Sequence, residues 1–130
     1  MGSTIPPAVE KLLTSEQLVA HLATSTDDRP HTTPLWYRYE DGIIEVMTTG
    51  RTLSNLEQNP RVALSVQKDR GGHPEWAVTL RGTATVLKDE ETKRRKNRAL
   101  NRKYDIEEDA WENENTLVRI EIGSVSYKTF

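Results

Sequence analysis

Cysteine is absent from this 130-residue chain. That excludes disulfides, thiolate catalysis and cysteine-ligated metal. Long apolar runs are absent too, so no segment approaches the length of a membrane span. Neither sign of charge dominates: eighteen basic and twenty acidic side chains leave a net charge of -2. That balance argues against a whole-surface affinity for nucleic acid or anionic membrane. The three histidines, His21, His31 and His73, have no His or Glu partner at metal-ligand spacing. No G-x-S-x-G elbow, GxGxxG turn or phosphate-loop signature occurs. The amino terminus, MGSTIPPAVEKL, lacks the basic segment and apolar core of a secretory signal. A cytoplasmic protein with no membrane partner is the expectation. Internal repeats and low-complexity tracts are missing as well.

What is present fits one globular domain over residues 1–130, with residues 1–8 read as a flexible arm. A hydrophobic fraction of 35% and a charged fraction of 29% are ordinary for such a chain. A domain this small gains from pairing with a second copy. Thr14-Ser15-Glu16-Gln17 has the spacing of a capping box and predicts a helix start. His21 to Thr26 is then the first strand, and Asp27-Asp28-Arg29-Pro30 the first turn.

The centre of the chain is Pro30 to Val66. His31 to Tyr39 is dense in Thr, Trp and Tyr, which suits a half-buried pleated surface. Asp41-Gly42 is a hairpin signal, and Ile43 to Thr48 the return strand. Thr49-Gly50-Arg51-Thr52 turns into a short helix that Asn59-Pro60 stops, because proline disfavours helical geometry in the residue before it. Val62, Leu64 and Val66 then alternate as one face of a strand. Asp69 to Pro74 reads as a loop. Trp76, Val78, Leu80, Ala84 and Val86 share a face, with Gly82 marking a bend, bulge or close approach. Asp89 to Tyr104 predicts a helix with acidic residues in its first turn. Thr116 to Ile122 predicts the last strand. These elements predict a mainly β (α+β) fold: a six-stranded, mostly antiparallel barrel with two or three peripheral helices.

Three stretches can carry chemistry. The turn Thr48-Thr49-Gly50-Arg51-Thr52 offers helix-start amides, hydroxyls and one guanidinium, a phosphate-binding combination, or simply a capped helix with a solvated arginine. The strand His31-Thr32-Thr33-Pro34 carries a proline that implies an edge or irregular position. Trp76 can close a site or serve as core. A run of seven basic residues between Lys93 and Lys103 puts Arg94, Arg98 and Arg102 on one face. The acidic residues from Asp105 to Glu114 can fold back and pair with them, so no nucleic-acid partner is expected.

The order PHTTPLWY, DG, strand, TTGRT, NLEQNPRVALSV resembles the pyridoxamine 5'-phosphate oxidase-like family of flavin-binding split barrels. The similarity is strongest over Thr14 to Leu87. It implies a homodimer with FMN at the subunit interface and two-electron redox of a small molecule. Carried across, it makes His31, Thr32, Thr33, Pro34, Thr48, Thr49, Arg51, Thr52 and Trp76 the cofactor-binding residues, with catalytic residues unassigned. Tyr127 and Phe130 can cover the partner's site. Two positions depart from the pattern: Thr52 stands where relatives commonly carry lysine, leaving Arg51 as the local cation, and His31 stands where the oxidase itself often has arginine. Alternatives on the same fold are an F420-dependent reductase, a flavin or haem carrier or sensor without turnover, and a cofactor-free binding module. The carboxyl-terminal Arg-containing segment of the true oxidases is not identifiable in VSYKTF, which argues against pyridoxamine-phosphate oxidation itself.

Overall fold

A computed structural model describes residues 5–130. Seven strands form one antiparallel sheet: β1 (Val19–Thr26), β2 (Arg29–Trp36), β3 (Arg38–Glu40), β4 (Ile43–Thr48), β5 (Arg61–Arg70), β6 (His73–Leu87) and β7 (Thr116–Thr129). Their order is β2-β1-β5-β6-β7-β4-β3. Three helices accompany them: α1 (Pro7–Leu13), α2 (Gly50–Gln58) and α3 (Glu90–Lys103).

The sheet order explains how the barrel curls. β2 is one edge strand and β3 the other, yet a single residue, Tyr37, joins them. The chain therefore leaves one edge and enters the opposite one without a loop. This draws the edges together, but β2 pairs only with β1 and β3 only with β4. A split is left between β2 and β4. Tyr37 is fully buried, and its hydroxyl donates to Leu13 O at 2.6 Å, fixing the crossing point to α1.

The six strands expected are thus seven. His31 to Tyr39 is not one strand but two, because its halves pair with different partners. Alternation of side chains cannot reveal that, since the periodicity continues through the break. Val62, Leu64 and Val66, and Val78 and Leu80, are buried on the expected faces, and Ala20 and Leu22, Ile44 and Val46, and Val118 and Ile120 join them in the core. Together they bury apolar area that drives folding at roughly 25 cal/mol per Å².

Other boundaries also move. The helix expected to start at Thr14 ends there instead. Pro7 occupies a first-turn position of α1, where its missing N–H costs nothing. Thr14 is the C-cap, and its hydroxyl donates to Glu10 O at 2.9 Å. Gln17 donates to Lys103 O and to Asp105 Oδ2, each at 2.8 Å, rather than closing a capping box. Of the expected arm, residues 1–4 lie outside the described residues, Ile5 is buried and Pro7-Ala8 open α1. The loop expected at Asp69 to Pro74 shrinks to Gly71-Gly72, with φ of 56 and 83°. Two positive φ values suit a two-residue hairpin turn, as they do at Asp41-Gly42. The last strand continues past Ile122 to Thr129, pairing with Trp76 to Arg81 of β6.

Helix α3 forms as its sequence dictates. Asp89 caps it by accepting from Thr92 N at 2.9 Å. The acidic segment folds back on it: Arg98 meets Glu112 at 3.1 Å and Arg102 meets Glu108 at 3.6 Å. Lys96 reaches Glu45 of β4 at 2.9 Å. Asn97 and Asn101 are buried and donate to the carbonyls of Glu107, Glu108 and Ala110, which pins the segment in place.

Candidate functional site

Two elements flank the split in the barrel. One is the free edge of β2. The other is the first turn of α2, which follows directly from β4. Thr49 is the N-cap of α2, extended at φ -155°, but its side chain makes no capping bond. No acidic residue lies in the first turn. The leading amides and the positive end of the helix dipole are therefore available to an anion. Gly50 sits at φ 62°, a conformation glycine adopts without strain. Arg51 is exposed, and among the described residues it forms no ion pair.

Burial divides the threonines of this turn. Thr48 and Thr52 are buried at 8% and 4% exposure, and Thr48 lies opposite Thr116 of β7. They hold the turn in place. Thr49 and Arg51 are exposed and can reach a ligand. The fit to a phosphate group thus rests on uncapped amides, one hydroxyl and one guanidinium.

Polar bonds that sequence reasoning missed fasten α2 to the barrel. Asn55 is buried; its Nδ2 donates to Thr24 Oγ1 at 3.0 Å, and its Oδ1 accepts from Thr26 Oγ1 at 3.0 Å. Asn59 Nδ2 donates to Ser25 O at 3.0 Å. Thr24 in turn lies opposite His31 in the β1–β2 ladder. Helix α2 and His31 are therefore both referenced to the carboxyl-terminal end of β1. An Asn55→Ala variant should lose about 1–3 kcal/mol of stability, because Thr24 and Thr26 lose buried partners. A urea midpoint against wild type measures it; an unchanged midpoint would contradict the tether.

On β2, Pro30, Thr32 and Pro34 are exposed and His31 and Thr33 half-buried, the pattern of an edge strand. Pro34 has no N–H, as an edge tolerates. Trp76 stands apart. It is 6% exposed within the core, opposite Lys68 and Thr129. Ala84, eight residues further along β6, is the position whose N–H reaches Pro60 O just beyond α2. Within one chain the structure does not bring Trp76 to the α2 turn. Tyr127 and Phe130 are exposed at the end of β7.

A second feature escaped sequence reasoning. Trp36, at the end of β2, stacks on Tyr104 with centroids 4.6 Å apart and meets Trp111 edge-on at 5.9 Å. Lys103 Nζ donates to Tyr37 O at 2.8 Å and lies 3.9 Å from the Tyr37 ring centroid. Burial, aided by the nearby Arg38 charge, pushes the Lys103 ammonium down to about 8. The unfolded chain then binds more protons than the native one between about pH 8 and the ordinary lysine range. Stability from this residue therefore rises with pH across that window. Relative to Lys103→Met, wild type should gain up to about 1 kcal/mol per pH unit in denaturant melts between pH 8 and 10. A constant difference would refute it.

Among the described residues no cluster of three or more His, Asp or Glu can hold a metal, and no helix is long and apolar enough to cross a membrane.

Comparison with known proteins finds solved structures of the same fold. A FAD-binding protein from Mesorhizobium loti is 24% identical, with 96% of this chain and 95% of that one covered at a TM-score of 0.75. An F420 reductase is 23% identical over 89% of this chain and 94% of its own, at 0.74. The haem storage protein HutZ of Vibrio cholerae is 16% identical over 95% and 93%, at 0.78. At these identities the likeness concerns the fold. No curated protein matches the chain in sequence. The sequence profile of the pyridoxamine 5'-phosphate oxidase family matches residues 7–129. With nearly every described residue inside that match, the chain belongs to the pyridoxamine 5'-phosphate oxidase family.

Proposed function

We propose that this chain is an FMN-binding oxidoreductase that works as a homodimer, with its cofactor site completed at the subunit interface. The observation that carries the reading is the first turn of α2, uncapped by any side chain, with Arg51 beside it forming no ion pair among the described residues. Family membership and the FAD-binding relative of the same fold support a flavin-type group. Arg51 and the leading amides of α2 would hold the phosphate. Backbone groups on the free side of β2, from His31 to Pro34, would meet the ring's donor and acceptor edge. Pro34 offers only its carbonyl there. Tyr127 and Phe130, exposed at the end of β7, would act from the partner copy, while Trp76, buried in the core of its own chain, would serve as packing. When bound, the flavin supplies the two-electron chemistry, and the protein orients it and its small-molecule substrate.

F420 on the same fold is the second reading, because an F420 reductase shares this architecture. Purified protein from its natural host decides between them. The expected result is an oxidised-flavin spectrum, FMN released on heating as identified by mass spectrometry, and a dimer by native mass spectrometry. Released F420 would move the assignment to the second reading. A haem spectrum, or a colourless protein indifferent to both cofactors, would overturn both.

A further inference from the structure

The outer face of the sheet carries a pair of cations away from the α2 turn. Arg61 of β5 and Arg81 of β6 are both exposed and point to the same side, since they alternate with buried Val62 and Leu80. The ladder sets Ala63 opposite Arg81 and Thr83 opposite Arg61. The two arginines are therefore diagonal neighbours, about 7–8 Å apart at the backbone. That spacing lets two guanidinium groups converge on one oxyanion.

Between them lies a shallow, open hollow of about 340 Å³. Ala23 and Ala63 form a small-residue floor, Ser25 adds a hydroxyl, and Pro30 of β2 forms a wall. Arg81 also lines the adjoining hollow, of about 250 Å³, beside Ser124 and Ser126. Among the described residues no carboxylate lines either one. The other basic hollows differ: Glu57 and Glu90 face Lys93 in one, and Glu40 and Glu45 face Lys96 in another. Glu121 is the nearest acid across the ladder, opposite Thr83, but among the described residues neither Arg61 nor Arg81 forms an ion pair. Both guanidinium groups are therefore left to solvent and open to an anion.

The geometry points to an anion subsite between Arg61 and Arg81 that takes the phosphate or carboxylate group of the substrate. As a substrate subsite it rests on the flavin reading, because Pro30 of its wall leads directly into the His31–Pro34 strand. As an anion site it stands without that reading. The substrate is accordingly a small acid or phosphate ester, held by its charge at one end of β2.

The test is titration of the ¹⁵N-labelled protein with inorganic phosphate and, separately, succinate, followed by amide shifts. Saturable shifts at Ala23, Ala63 and Arg81 are expected with at least one of them. Phosphate alone would indicate a phosphate ester, succinate alone a carboxylic acid, and both the shared oxyanion chemistry. Arg81→Gln and Arg61→Gln should each weaken that binding about tenfold. Arg81 is exposed, so Arg81→Gln should melt within about 0.5 kcal/mol of wild type, and lost binding cannot then be blamed on unfolding. FMN affinity, read on the same variants, should stay within about twofold of wild type. No shifts at these amides with either anion, or undiminished binding in both variants, would overturn the subsite. Loss of FMN binding by wild type with these shifts intact would instead count against the flavin reading alone.

Discussion

A Gly82→Ala variant should be severely destabilised. A Cβ at this position would stand 2.5 Å from Glu121 O and 2.9 Å from Ile120 Cγ2. The first contact is with backbone, which cannot swing aside. Gly82 also sits where the β6–β7 register shifts, so the two strands approach at an irregularity already under steric demand. Forcing a methyl there should cost about 3 kcal/mol, the upper part of the usual overpacking range. In a domain this size that lowers the melting temperature by roughly 10 °C. Gly123→Ala is the control, because its added Cβ meets nothing nearer than Arg81 O at 3.5 Å. It should change stability by less than about 0.5 kcal/mol. Equal effects of the two substitutions, read by thermal melts, would contradict the close approach.

The second large effect is on binding. An Arg51→Ala variant should bind FMN about 10–100-fold more weakly than wild type, with its fold intact. Arg51 is exposed, so its loss costs the native state little. Its guanidinium is the cation of the α2 turn, and Thr52 beside it is buried and uncharged. Removing a charge-assisted hydrogen bond to phosphate costs about 1.5–3 kcal/mol, which sets the size of the effect. Arg51→Lys should recover only part of it, since a point charge replaces a bidentate fork. Fluorescence titration measures the series. Affinity in Arg51→Ala equal to wild type would remove the α2 turn from the site.

Much of the fold was legible because local chemistry decided it. Asp41-Gly42 and Asp27-Asp28 form turns with positive φ at both positions, as short polar and glycine residues permit. Asp89 caps α3, and Asn59-Pro60 ends α2. Gly82 signalled the close approach it makes. Local chemistry failed where partners far along the chain decide. Nothing within Trp36-Tyr37-Arg38 announces that β2 pairs with β1 and β3 with β4. Thr14 to Gln17 has a helix-start pattern, yet Pro6-Pro7 had already set α1 in place, and Gln17 found its partners in Lys103 and Asp105, more than eighty residues away.

The candidate site was legible in the same measure. The TTGRT turn could be read from its residue types. That Thr48 and Thr52 face inward while Thr49 and Arg51 face out required the packing of α2 on β1. Asn55 gave no signal as a tether, because asparagine inside a helix more often faces solvent. Trp36, Tyr104 and Trp111 lie on three different segments, so their stacking had no sequence spacing to reveal it.

The central claim is that the split between β2 and the start of α2 holds a flavin. Mapping FMN onto the ¹⁵N-labelled protein tests it most directly. The account predicts saturable amide shifts at Gly50, Arg51 and Thr52 together with shifts at His31 to Thr33, and their collapse in Arg51→Ala at the same FMN concentration. Binding that leaves both stretches unmoved, or no binding at all, would contradict it.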